Sequence, residues 1–93
     1  MDRADQWDEA ANRDADRARE LINLFTELTG LRQSAEMADR EAERMRAEQA
    51  PPEIVAAYRI LALEAEALAG DAERRYREAA TAFQDIVEQY RTG

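Results

Sequence analysis

Apolar residues recur through the second half of the chain at alternating spacings of three and four. The stripe runs through Ile54, Tyr58, Leu61, Ala65, Leu68, Ala72, Tyr76, Ala79, Phe83, Ile86 and Tyr90, with one doubled spacing of four around Gly70. This rhythm is the a/d repeat of a coiled-coil helix, and a doubled four is an insertion that locally unwinds the supercoil. The pattern predicts one long helix over about residues 53–91, with Pro52 in its first turn, where a missing N–H is harmless.

The first half of the chain carries a thinner stripe of the same kind. Its members are Ala4, Trp7, Ala11, Ala15, Ala18, Ile22, Phe25 and Leu28, followed by Leu31, Ala35, Ala38, Ala42 and Met45. This stripe predicts a helix over about residues 3–49. Gly30 interrupts it, and we expect a kink or break there, with Gly30 as a C′ cap and Leu31 folding back toward Phe25 in a Schellman motif.

The adjacent prolines Pro51 and Pro52 form the one site that is firmly barred from a helix interior. If the chain reverses at residues 49–52, residues whose numbers sum to about 101 lie side by side. Large side chains then mostly meet small ones, as Phe83 meets Ala18, which close helix packing requires. Gly70 would lie inside the second helix, and its missing side chain would leave room for Leu28 and Leu31.

We therefore predict a single all-α domain over residues 1–93, built as a long antiparallel helical hairpin. Its arms cover about residues 3–49 and 53–91. The alternative is a compact three- or four-helix bundle with turns at Gly30 and Gly70. A lone hairpin buries one stripe per helix, which rarely offsets the entropy of ordering the chain. Two hairpins are accordingly expected to associate into a four-helix bundle, as a homodimer.

The stripes divide the large apolar residues into two predicted sets. The first set forms the seam between the arms and contains Ile22, Phe25, Leu28, Tyr58, Leu61, Leu68, Tyr76, Phe83, Ile86 and Tyr90. The second set lies off that seam and is the candidate face for a partner or a second copy: Trp7, Leu21, Leu24, Met37, Ile60, Leu63 and Val87. A helix that is apolar on more than one side requires more than one neighbour.

Composition excludes several kinds of chemistry. The chain has 21 acidic and 13 basic residues, with a net charge of −8. That charge argues against binding to nucleic acid or to an anionic membrane. The sequence contains no Cys and no His, and Ser34 is its only serine, so we predict no catalytic, cofactor or metal site. With no apolar run of membrane-spanning length and an acidic N-terminal segment, a cytoplasmic location is expected.

The leading functional hypothesis is a small, acidic, non-enzymatic protein–protein interaction module or regulator. It would self-associate, dock a helix of another protein along its apolar seam, or do both. One alternative is an acidic inhibitor that occupies a basic site on a target protein. Another is a small all-helical enzyme that uses Arg and Glu. The basic cluster Arg74 to Arg77 has acidic neighbours that largely neutralise it, so a solvated helix face is its expected role.

Overall fold

A computed structural model describes the backbone of residues 3–92 and the side chains of residues 12–89. These residues form two long helices, α1 (Arg3–Ala47) and α2 (Pro52–Thr92). The helices pack side by side and antiparallel in a rod of 71 × 18 × 17 Å. The predicted all-α antiparallel hairpin is thereby confirmed.

The chain reverses over residues 48–51, and local hydrogen bonds cap the C-terminal end of α1. Gln49 adopts a left-handed φ of 59°. The Ala50 N–H donates to the Met45 carbonyl at 2.9 Å, and the Gln49 N–H donates to the Arg46 carbonyl at 3.1 Å. This pair of bonds is a Schellman motif. Pro52 then opens α2 as its first residue, where proline fits without loss of a hydrogen bond.

Gly30 and Gly70 both lie inside continuous helices. No glycine in the described part of the chain has a positive φ, so the predicted interruption and Schellman cap at Gly30 are wrong. The prolines end the helical arms, whereas an isolated glycine only weakens a helix. A Cβ added at either glycine would meet nothing within 4 Å. The expected space for Leu28 and Leu31 at Gly70 is therefore also wrong, because Gly70 faces outward.

The seam between the helices follows an unbroken alternation of three and four. On α1 it contains Leu21, Leu24, Leu28, Leu31, Ala35, Ala38, Ala42 and Met45. On α2 it contains Val55, Tyr58, Ala62, Ala65, Ala69, Ala72, Tyr76, Ala79, Phe83 and Ile86. All of these residues are buried or half-buried. The doubled spacing of four that the sequence suggested around Gly70 is absent, because the seam passes through Ala62 and Ala69 instead of Leu61 and Leu68.

The pairing of the helices has the predicted register, in which facing residue numbers sum to about 101. Leu28 packs with Ala69 and Ala72 at the centre of the core, and Leu31 and Tyr76 pack against them. Ion pairs link the arms on both sides of the seam: Glu27 with Arg75, Arg32 with Glu73, and Glu43 with Arg59. A slip by one heptad would break all of these contacts together.

Candidate interaction surface

The residues predicted for the seam divide into those that the helices cover and those that face solvent. Leu28 and Ile86 are buried, and Tyr58, Tyr76 and Phe83 are half-buried. Four other residues were predicted for the seam, and this prediction is wrong because about half or more of each is exposed: Ile22 61%, Phe25 53%, Leu61 54% and Leu68 49%. The Tyr90 side chain lies outside the described residues.

A shift by one residue explains these four exposures. Adjacent positions differ by about 100° around a helix, and the seam takes the neighbouring residue in each case: Leu21, Leu24, Ala62 and Ala69. On α2 the choice exchanges Leu for Ala. Small side chains let two helix backbones approach closely, and the Ala positions continue a regular repeat through the whole arm. The larger leucines are left outside.

The predicted partner face is divided in a similar way. Leu21 and Leu24 are half-buried in the seam, and Val87 is half-buried beside it. Met37, Ile60 and Leu63 are 64%, 63% and 64% exposed. The Trp7 side chain lies outside the described residues. The structure thus brings Ile60 and Leu63 together on one helix, three residues apart, and places Met37 on the other.

Ile60 and Leu63 belong to a second apolar stripe on α2, which we call the outer stripe. It is formed by Ala56, Ile60, Leu63, Ala67 and Gly70, all of them exposed. Their spacings of four, three, four and three repeat the coiled-coil rhythm. By helical geometry the outer stripe lies about 150° around α2 from the seam, so it faces away from α1. Its large residues are central and its small residues flank them.

A shorter row of large apolar residues lies beside the seam on the same arm. Ile54, Leu61 and Leu68 follow one another at intervals of seven and are all exposed. Together with the outer stripe they make residues 54–68 of α2 apolar around most of the helix circumference. The charged side chains in that segment are Arg59, Glu64 and Glu66. A helix segment of this kind has too few neighbours within one hairpin.

A charged stretch that contains Arg74, Arg75 and Arg77 follows the apolar segment along α2. Arg74 Nη2 donates to Asp71 Oδ1 at 2.6 Å, and Arg77 Nη2 donates to Glu73 Oε1 at 3.0 Å. Arg75 Nη2 crosses the seam to Glu27 Oε1 at 2.9 Å. Each of these guanidinium groups therefore has a carboxylate partner, as expected of a solvated helix face.

These ion pairs shift the acid–base equilibria of the groups involved. The hydrogen bond from Arg74 is the main cause that holds the pKa of Asp71 below its usual value of 3.8. The same bond raises the pKa of Arg74, and the hydrogen bond to Glu27 raises the pKa of Arg75. Asp71 and Arg74 are exposed and Arg75 is half-buried, so screening by solvent keeps their contribution to stability small.

Arg59 has a different position. Its Nη2 donates to Glu43 Oε1 on α1 at 3.0 Å, and its side chain remains about half exposed. Arg59 and Glu66 both lie along the same edge of the outer stripe, because each directly precedes a stripe residue, Ile60 and Ala67. That edge therefore carries one positive and one negative side chain, seven residues apart.

Shallow grooves run along the rod on the side of the Arg32–Glu73 pair. One groove, of about 360 Å³, is lined by Arg32, Ala35, Glu36, Glu66, Ala69, Gly70 and Glu73. Another, of about 380 Å³, lies at the turn and is lined by Arg46, Ala50, Pro52, Val55, Ala56 and Arg59. Within the described residues, no group of three or more potential ligands is placed to hold a metal ion. Over the same residues, neither helix is apolar enough along its length to cross a membrane.

The open end of the hairpin has a smaller apolar surface on α1. Ile22 is exposed, and the exposed Phe25 contacts Tyr76 of α2, with ring centroids 5.7 Å apart at an angle of 51°. Such tilted contacts between aromatic rings are favourable. Phe25 thus lies outside the seam and covers its edge at Tyr76.

The prediction from sequence missed the small members of the outer stripe, Ala56, Ala67 and Gly70. Their signal was present as a second alternation of four and three that overlaps the first. A stripe defined by large apolar residues leaves out alanine and glycine, although these small residues decide whether an apolar helix face is continuous.

The sequence matches no known protein-family model, and neither curated proteins nor solved structures give a significant match.

Proposed function

We propose that this protein is a non-enzymatic interaction module that self-associates through the exposed apolar surface of α2. The observation that carries the proposal is the exposure of five large apolar residues within one stretch of 15 residues. These are Ile54, Ile60, Leu61, Leu63 and Leu68. Exposed apolar residues at this density on a small protein mark an interaction site.

The size of the apolar surface is matched to an association of moderate strength. Full burial of one Leu or Ile side chain stabilises a complex by about 1.5–3 kcal/mol. Association costs about 4–15 kcal/mol in lost freedom of motion. Two or three such side chains from each partner supply about 6–18 kcal/mol together, which is comparable with that cost, whereas a single exposed leucine supplies too little.

Analytical ultracentrifugation at micromolar concentrations tests the proposal. The wild-type protein is expected to sediment as a dimer or larger oligomer, and Leu63→Asp as a monomer, because a carboxylate cannot be buried unpaired in an apolar interface. Met37→Asp is the matched control, since Met37 is equally exposed but lies on α1. A wild-type protein that remains monomeric throughout the micromolar range would contradict the proposal.

A second candidate function is occupation of a basic site on a target protein. It is favoured by the net charge of −8 and by a row of carboxylates along α2 at intervals of seven, formed by Glu64, Asp71, Glu78 and Asp85. Binding of that kind weakens steeply as salt is raised, whereas association through apolar side chains is nearly insensitive to salt. Sedimentation of the protein alone and together with a basic protein, each at 0.05 and 0.5 M salt, separates the two, because only binding to the basic protein should be lost at the higher salt. A cytoplasmic location is part of both proposals and rests on composition alone.

A further inference from the structure

We infer that the outer stripe pairs with the outer stripe of a second copy of this chain, antiparallel, about a two-fold axis between Leu61 and Ala62. This inference rests on the proposed self-association and adds the contact surface, the orientation and the register. It follows from the order of large and small residues along the stripe and from the charges on its edge.

The outer stripe is complementary to itself when it is reversed. In an antiparallel coiled coil, each residue at an a position of the heptad packs against a residue at a d position of the facing helix. If facing numbers sum to 123, Ile60 lies opposite Leu63 of the second copy. Ala56 then lies opposite Ala67, and the two large residues share the centre. The same arrangement holds on both sides of the axis, as an isologous interface requires.

The charged edge of the stripe is complementary in the same register. Within the hairpin, Glu27 and Arg75 form an ion pair across the seam from positions that each directly precede a seam residue. Arg59 and Glu66 occupy the equivalent positions beside the outer stripe. Antiparallel pairing brings Arg59 of one copy to Glu66 of the other, and it does so twice. In a parallel dimer each edge of the stripe would instead face the opposite edge of the other copy, so Arg59 would lie near Glu64 but Glu66 would lie near Asp71, a pair of like charges.

The surroundings permit this approach. The outer stripe faces away from α1, so the second copy meets no part of the hairpin's own partner helix. On the other edge of the stripe, Ala57 lies opposite Glu64 of the second copy, so that like charges are not directly opposed. The result is a row of four helices in which the two α2 helices are central.

Charge reversal in separate chains tests the register. Arg59→Glu gives two Glu–Glu contacts in its own dimer, and Glu66→Arg gives two Arg–Arg contacts. Each variant alone is expected to dimerise about tenfold more weakly than the wild type. An equimolar mixture restores opposite charges at both contacts, so a heterodimer of near wild-type affinity is expected. The loss of the Arg59–Glu43 pair persists in the mixture and therefore does not imitate this recovery. Arg40→Glu, an exposed substitution on α1, is the control and should show no pairing preference in a mixture.

Distances between spin labels test the orientation, and the absence of native cysteine makes single labelling sites simple to introduce. For an antiparallel pair centred between Leu61 and Ala62, the axial separation of two identical sites is about 38 Å at Arg74→Cys and about 59 Å at Thr81→Cys. A parallel pair gives the same short distance at both sites.

The failure of this inference differs from the failure of the proposed function. A monomeric wild-type protein overturns both. A dimer that Leu63→Asp disrupts, but that shows no preference for the charge-reversed heterodimer or gives equal label distances at the two sites, overturns the register and orientation alone. Recovery in the mixture together with a label distance that increases toward Thr81 supports them.

Discussion

The two halves of the hairpin, nearer to the turn and nearer to the open end, differ in where they place their large apolar residues. Toward the open end the seam contains the four leucines from Leu21 to Leu31 on α1, which face Ala69, Ala72 and larger side chains of α2. Toward the turn it is mostly alanine on both helices: Ala35, Ala38, Ala42, Ala62 and Ala65. In the turn half, most of the large apolar residues of α2 lie outside.

This difference shows how a single hairpin can be closed tightly and still be incompletely covered. An alanine seam brings the backbones together but buries little apolar area per residue, since the benefit of burial grows with that area. In the open half the leucines supply the area within one chain. In the turn half the proposed second copy would supply it, because residues 54–68 are the part of α2 whose large apolar side chains are exposed.

The largest expected effect is in the open half, where leucines fill the seam. Leu28 is 4% exposed and packs between Ala69 and Ala72, so Leu28→Ala should lower the free energy of unfolding by about 2–5 kcal/mol. Leu61→Ala, the matched control on the exposed face, should change the stability of the hairpin by less than about 1 kcal/mol. Urea denaturation at a concentration where the protein is monomeric measures both. Equal losses at Leu28 and Leu61 would contradict the assignment of the seam.

In the turn half, where the seam is mostly alanine, a substitution should destabilise the hairpin by overfilling the seam and not by leaving a cavity. Ala42 is only 1% exposed, and Ala42→Leu is expected to destabilise the hairpin by about 1–3 kcal/mol because the helices must separate. Ala82→Leu, at an exposed position of α2, is the control and should be close to neutral. If Ala42→Leu stabilised the protein, the turn half would have space in its seam and the contrast between the halves would fail.

A smaller effect is expected near the boundary between the halves, where Gly30 and Gly70 lie. Both glycines are helical and have open space where a Cβ would be. Gly30→Ala and Gly70→Ala should therefore each raise the free energy of unfolding by up to about 1 kcal/mol, and thermal unfolding should show increments that add. A loss of stability at either site would mean that the boundary requires glycine's freedom, as a bend or a close approach does.

The smallest expected effect is on pH dependence at the same boundary. Hydrogen bonding from Arg74 lowers the pKa of Asp71 from 3.8, so the folded state favours the ionised carboxylate. Its contribution to stability is fully present above pH 3.8 and is lost as the pH falls through the lowered pKa. Thermal unfolding at neutral pH and at about pH 2.5 should show a slightly smaller acid-induced loss for Asp71→Asn than for the wild type. A larger loss in the variant would reverse the assigned sign.

Most of the fold was predictable, because a few residues determine it strongly. Pro51 and Pro52 cannot lie in the interior of a helix, and the remaining sequence has helical periodicity on both sides of them. The register followed from matching large residues with small ones, and the packing of Leu28 against Ala72 agrees with it. The candidate surface was less predictable. Ile60 and Leu63 were assigned to an outward face, whereas Leu61 and Leu68 were assigned to the seam.

The sequence by itself therefore determined that two long helices meet antiparallel at a proline turn, and which heights of the two arms face each other. Only the tertiary structure decided which of two overlapping stripes on α2 forms the seam. Both stripes have helical periodicity, and the one with the larger side chains is the more conspicuous in the sequence. The close approach of the backbones favours Ala62 and Ala69 over Leu61 and Leu68. That preference depends on the distance between two packed helices, which no pattern within a single helix contains.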